Sequence, residues 1–217
     1  MRDVRFCTLA LFVVALPTFG QHAFTDSGIL ADTPGSESVG RGNTPASPPY
    51  APLTVREKLL RSTRATFGLQ SLFFDAAAAG FDQATNTPGP WKQGAQAYGE
   101  RFGSELGISM VDEYASFAIE AALHEDSRYV VSSDRSFHGR LKSVLKQTLV
   151  VKTDSGGQQF ALGRFGGALA AGFTSNAWLP STNGTPANGL ETAGLLIGRD
   201  LALNFATEFI GFFRNHR

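Results

Sequence analysis

The apolar positions of this chain recur with helical spacing over most of its length, and the interruptions fall at residues that end helices. Thr54 followed three residues later by Glu57 forms a capping box, which predicts a helix from about Val55 to Phe67. After Gly68, the positions Leu69, Leu72, Phe73, Ala76, Ala77 and Gly80 form one apolar face, with Asp75 and Asp82 sharing a side seven residues apart. Asn86-Thr-Pro-Gly-Pro90 ends that helix. The longest pattern runs from Trp91 to His124, with a break expected near Gly107 because Gly99, Gly103 and Gly107 weaken its first half. An irregular connection is expected over 126–134, with a short strand at Tyr129 to Val131. From Ser136 to about Val151, Phe137, Leu141, Val144, Leu145 and Thr148 share one side. Ser155 with Gln158 reads as a weaker cap for a helix over 156–179 that Pro180 stops, and Asn188 with Glu191 introduces a last helix from Leu190 to Phe213.

This order predicts an all-α fold, a compact bundle of about six helices over residues 54–217. No repeat of 20 to 50 residues indicates a solenoid. Small residues recur every fourth position in three of the helical segments, at Ala95, Gly99, Gly103, Gly107, at Gly163, Gly167, Ala171, Ser175, and at Gly194, Gly198, Ala202, Ala206. That spacing returns to nearly the same helix face and lets a neighbouring backbone approach closely. We therefore expect Gly99, Gly103, Gly107, Gly163, Gly167, Gly194 and Gly198 to be helix-packing positions.

The region before the first helix has a different character. Arg2 and Arg5, an apolar run from Cys7 to Leu16, and Pro17 to Gly20 follow the plan of a secretory signal over residues 1–20, with cleavage after Gly20 or, alternatively, Ala23. Residues 21–53 are rich in Pro, Gly, Ser and Thr without a sustained apolar period, which predicts a disordered linker. Pro48 and Pro49 offer a polyproline segment as the other reading. Cys7 is the one cysteine, so the mature chain has neither disulfides nor cysteine ligands. Removing the signal takes Arg2, Arg5 and Asp3 from 19 basic and 19 acidic residues and leaves a formal charge of −1. Such a balance argues against a nucleic-acid binder, whose phosphate contacts need a basic excess.

Composition and charge also bear on membranes. The 24 glycines exceed the usual share, and in helix interiors each costs about 1 kcal/mol relative to alanine, a cost that close helix contact offsets. Arg56, Lys58, Arg61 and Arg64 make the first helix basic, suited to anionic headgroups or to a solvated face. The segment 160–179 carries one charge, Arg164, and an interface aromatic, Trp178, whereas Arg199 and Asp200 burden the middle of 190–213. The expectation is a bundle in the periplasm or one packed on or partly into a membrane, rather than one that spans it.

Candidate chemistry is sparse. Glu113, Glu120 and His124 lie on one face of the long helix and have oxygen and imidazole donors for a divalent ion, but the chain has no Glu-x-x-His pair to complete a di-metal bundle. Neither a Gly-x-Ser-x-Gly elbow nor a phosphate-binding loop is present. No metal, cofactor or catalytic residue is expected. A ligand site, if there is one, would be built from Asp75, Asp82, Glu113, Glu120, His124 and Arg128.

The strings FDQATNTPGPWKQGAQAYGERFGS, HEDSRYV, VVKTDSGG and SNAWLP resemble those of a family of uncharacterised exported bacterial envelope proteins, over roughly Leu53 to Phe213. The likeness implies an envelope location and carries no activity; Trp178 stands where that family has a paired aromatic. Two readings follow. One is a non-enzymatic exported envelope protein that packs against lipid, copies of itself or a partner. The other is a periplasmic hydrolase or small-ligand carrier.

Overall fold

The computed structural model describes residues 51–214, so the expected signal and linker lie outside the described residues except for the last few positions of the linker. The described chain is mostly helical, with a small antiparallel sheet. Its elements are α1 (Val55–Phe67), α2 (Leu69–Thr85), a 3-10 turn (Gly89–Trp91), α3 (Ala95–Ala122), β1 (Glu125–Asp126), α4 (Phe137–Leu149), β2 (Val150–Thr153), β3 (Gln158–Phe160), α5 (Leu162–Ser175) and α6 (Pro186–Arg214).

The local signals act where they are placed. Thr54 Oγ1 accepts from the Glu57 amide at 3.3 Å, and the Glu57 carboxylate accepts from the Thr54 amide at 2.8 Å, so α1 begins on a complete capping box. α2 ends at Asn86, whose φ of 53° is a left-handed cap that Asn tolerates well. The turn that follows, with a cis Thr87–Pro88 bond, is gathered around Arg101. This buried guanidinium donates to the carbonyls of Thr87 at 2.6 Å, Lys92 at 2.9 Å and Pro88 at 3.3 Å, and to Gln83 Oε1. One charged side chain thus satisfies the carbonyls that the α2–α3 corner leaves over.

Three sequence expectations are corrected. α3 runs unbroken through Gly107, where the Trp178 ring packs 3.5 Å from the place a Cβ would take and Trp178 Nε1 donates to Ser104 at 3.0 Å. The strand expected at Tyr129 to Val131 is instead Glu125–Asp126, paired with Lys152 and Thr153. The residues read as the end of one helix and the start of the next form a β2–β3 hairpin, with Val150 opposite Phe160 and Lys152 opposite Gln158. Val150, Val151 and Thr153 are β-branched, and Asp154-Ser-Gly-Gly supplies the turn, with Gly156 at φ 87°. Ser155 therefore belongs to this turn, where its hydroxyl meets that of Thr153 at 2.9 Å, and α5 starts later.

Ala161 at the α5 N-cap has no side-chain oxygen to offer, and Glu125 of β1 takes that role. Its carboxylate accepts from the amides of Leu162 at 3.1 Å and Gly163 at 2.8 Å, and from Gln159 Nε2 at 2.9 Å. At the other end of the sheet Arg164 donates to the last carbonyls of α4, at Gln147 and Thr148.

The core is small and made of small residues. Ile108, Ala168, Ala171, Ala193 and Leu196 form its buried cluster across α3, α5 and α6, with Val111 and Ile197 packed against it. The α3–α5 seam is as close as the four-residue spacing suggests. A Cβ on Gly167 would collide with Ser116 Oγ and lie 2.6 Å from the Asp112 carbonyl oxygen, and one on Gly163 would collide with the Glu120 side chain. On α5 against α6, a Cβ on Gly172 would strike the Gly189 carbonyl oxygen. The same test gives open space at Gly99, Gly103 and Gly194, so these three expected packing positions make no close contact within the described chain.

This division predicts opposite signs for one substitution. Gly167→Ala should lower stability by about 1–3 kcal/mol through overpacking, whereas Gly103→Ala should raise it by about 0.5–1 kcal/mol through helix propensity. Denaturant midpoints at constant m-value measure both.

Candidate functional site

Charged side chains, rather than large aliphatic ones, tie the helices together from inside. The largest fully buried side chains are Arg101, Glu125 and Glu208. Glu208 of α6 accepts from Tyr129 Oη at 2.6 Å, the Ser132 amide at 2.9 Å and Arg140 Nη1 at 2.7 Å, which fastens the 127–132 segment and α4 to the last helix. Burial, followed by the Glu208 carboxylate, holds the Tyr129 hydroxyl above its ordinary range, so it stays a donor. Lys58, 3 % exposed, reaches both oxygens of Asp154 in the hairpin turn, at 3.1 and 3.0 Å.

The outside of these helices also carries large apolar side chains. α1 buries Lys58, Ser62 and Thr66 and exposes Leu59, Leu60 and Phe67. On α2, Leu69 is 85 % exposed and Phe73 53 % exposed. Leu162, Leu169 and Phe173 of α5 also face outward while Gly163, Arg164, Gly167 and Ala171 face inward. These helices thus bury paired charges and small residues while exposing several large apolar side chains, and α1 exposes Arg56, Arg61 and Arg64 beside them. Among the described residues no helix is long and apolar enough to cross a membrane.

A cavity of about 920 Å³ is lined by α2, α3, α4 and α6, with Arg64 and Ala65 of α1 also at its wall. Its walls are largely apolar, with Phe74, Ile108, Leu145, Leu196, Leu203 and Phe209 among them, and one end is acidic. There Arg199 of α6 donates to Asp112 Oδ2 at 2.8 Å and stands 4.0 Å from Glu113 and 3.7 Å from Asp200. Asp200 also accepts from Arg164 Nε at 3.0 Å. Burial pushes Asp112 up to about 6 and Glu113 up to about 7; a neighbouring acid adds to the shift in each case, and Arg199 opposes it. Burial works against the charge of Arg199, but Asp200, Asp112 and Glu113 outweigh it and hold the guanidinium above its usual range. Asp75 of α2 accepts from Ser109 Oγ at 2.9 Å through one oxygen, while its other oxygen, Oδ2, is buried without a hydrogen-bond partner; burial raises its pKa.

The six residues nominated from sequence divide between this cavity and the β1 end of α3. Asp75, Asp82 and Glu113 line the cavity. Glu120 lies 3.9 Å from Arg61 and against Gly163, and burial raises its pKa. His124 is exposed, at φ 55°, and stands 3.5 Å from Asp154. Arg128 grips Asp126 and donates to the Ala51 carbonyl at 2.8 Å. Among the described residues no group of three His, Cys, Asp or Glu side chains could hold a metal ion. Reasoning from sequence did not place Asp112, Arg199 or Asp200 in the site; the adjacent Arg199-Asp200 pair in the middle of the last helix was the available signal.

The charge cluster gives a pH dependence of definite sign. Asp112 and Glu113 bind their protons more tightly folded than unfolded, so ionising them opposes folding, and their contribution falls as pH rises from about 4 through 7. Glu57, held low by its bonds to Thr54, acts oppositely: its contribution is lost as pH drops through its folded value, below 4.5. The groups facing the pair are Asp75 from α2, Arg61 from α1, Arg164 from α5, and Arg199 and Asp200 from α6. Thermal unfolding should therefore show Tm highest near pH 5 and lower by roughly 5 °C at pH 8, a change on the order of 2 kcal/mol. Glu113→Gln should flatten that slope.

No family model, curated protein or solved structure matches this chain.

Proposed function

We propose that this chain is a non-enzymatic, exported envelope protein that lies against membrane lipid through its apolar outer face, with residues 1–20 serving as the signal and residues 21–53 as a disordered tether. The observation that carries this reading is the outer surface of α1, which exposes Leu59, Leu60 and Phe67 beside the basic Arg56, Arg61 and Arg64 while Lys58, Ser62 and Thr66 turn inward. Exposed apolar side chains on this scale lose free energy in water and regain it against acyl chains, at about 25 cal/mol for each Å² covered. Small residues at the α3–α5 seam and paired charges inside are also the means by which helices associate in a lipid environment, where apolar burial supplies no driving force. The helices lie within or along the interface in this reading, their apolar residues set into the acyl boundary. The compact bundle of glycine- and alanine-lined helices is the rigid body that presents this face, and the likeness of its sequence motifs to exported envelope proteins points the same way.

The full chain should sediment with envelope membranes on cell fractionation. Replacing Leu69 and Phe73 together by Glu should move most of it into the soluble fraction without lowering its thermal midpoint, since both side chains are exposed. Recovery of the unsubstituted chain as a monomer in a salt-free periplasmic extract would refute the proposal.

A further inference from the structure

The reading above concerns the outer face; the cavity lined by α2, α3, α4 and α6 is a separate feature. Its volume of about 920 Å³ sits in the upper part of the range of small-molecule pockets, roughly 300–1,000 Å³, and its largely apolar walls converge on a few polar groups at one end. Three arginines line the cavity: Arg64, in the last turn of α1, is exposed, and the other two face partners inside the protein, Arg199 with its Nε left without a hydrogen bond. Arg101 spends its donors on Gln83, Thr87, Pro88 and Lys92, and Arg199 faces Asp112, Glu113 and Asp200. Asp75 is the exception among the acids there. It is 6 % exposed and lines the cavity, its Oδ1 is held by Ser109, and its Oδ2 is buried with no hydrogen-bond partner. An orphaned carboxylate oxygen in an apolar setting carries a desolvation cost that a bound donor, best a cationic one, removes.

We infer that this cavity is a binding site for a single-chain amphiphile with an ammonium head, its alkyl tail running between α2 and α6 and its head against Asp75 Oδ2. The tail finds Phe74, Ile108, Leu196 and Phe205. Five acids line the cavity against three arginines, Arg64, Arg101 and Arg199, so its walls carry an acidic excess that favours an ammonium head over an anionic one. The site stands on its own geometry. It can hold even if the protein proves not to be membrane-bound, and membrane association can hold if the site fails.

The test uses the purified full chain and an uncharged naphthylamine dye displaced from the apolar cavity by decylamine, decanol or decanoate, each kept below its aggregation threshold. Decylamine should displace the dye at a concentration about tenfold or more below that of decanoate, as expected for a hydrogen bond between ionised partners. Asp75→Asn, which keeps the Ser109 contact, should bring the two ligands together. A brominated alkylamine should also quench Trp91, which lines the cavity, in a Trp178→Phe background, and this readout needs no change at Asp75. A lysophosphatidylethanolamine arm assigns the amine: tighter binding than decylamine marks a lipid headgroup, weaker binding a free amine. Equal displacement by all three decyl ligands, a preference for decylamine that survives in folded Asp75→Asn, or no quenching of Trp91 would each overturn the inference.

Discussion

A charge taken out of water must be met by an opposite charge or by backbone dipoles, and the described fold is organised around meeting that requirement. Lys58 finds Asp154, Arg140 finds Glu208, Arg164 finds Asp200 and the end of α4, and Arg199 finds Asp112. Each link joins different elements of the fold. Buried pairs add little net stability against apolar residues of similar volume, yet losing one partner leaves the other stranded, so they define which helix faces meet. Such specificity matters more here than in an ordinary bundle, because the apolar cluster of Ile108, Ala168, Ala171, Ala193 and Leu196 is small and dominated by alanine.

Glycine makes that arrangement geometrically possible. With Gly163 and Gly167 against Glu120, Ser116 and the Asp112 carbonyl, α5 comes near enough to α3 for the Ser116 hydroxyl to donate to the Gly163 carbonyl at 3.1 Å. Large aliphatic residues are displaced to the perimeter as a result. At this seam the space between the helices has room only for small side chains and the polar links between them.

Much of the helical layout was legible in the sequence because its signals are local. Thr54 with Glu57, the turn at Asn86 to Pro90 and the N-cap Ser136 each act within one turn of chain, and the helices begin or end beside them. The hairpin at 150–160 was not legible as strand because its two short arms adjoin α4 and α5, so β-branched Val150 and Val151 merge into a continuing helical period. The direction of each amphipathic face was hidden too. Periodicity shows that Leu59 and Phe67 differ in side from Lys58 and Ser62, but only tertiary contact decides which side is inward. The candidate site suffered from the same limit. Asp75 and Glu113 could be placed on helices, whereas the partnership of Asp112 with Arg199 joins residues 87 positions apart.

The cap that Glu125 provides for α5 has a consequence for assembly. A helix whose first amides are satisfied only by a strand residue 38 positions earlier in the chain cannot complete its opening turn on its own. The carboxylate reaches them once β1 has docked on β2 and the hairpin has brought β3 alongside. Sheet and helix therefore mature as one cooperative unit, and the most closely packed seam of the molecule waits on its smallest element.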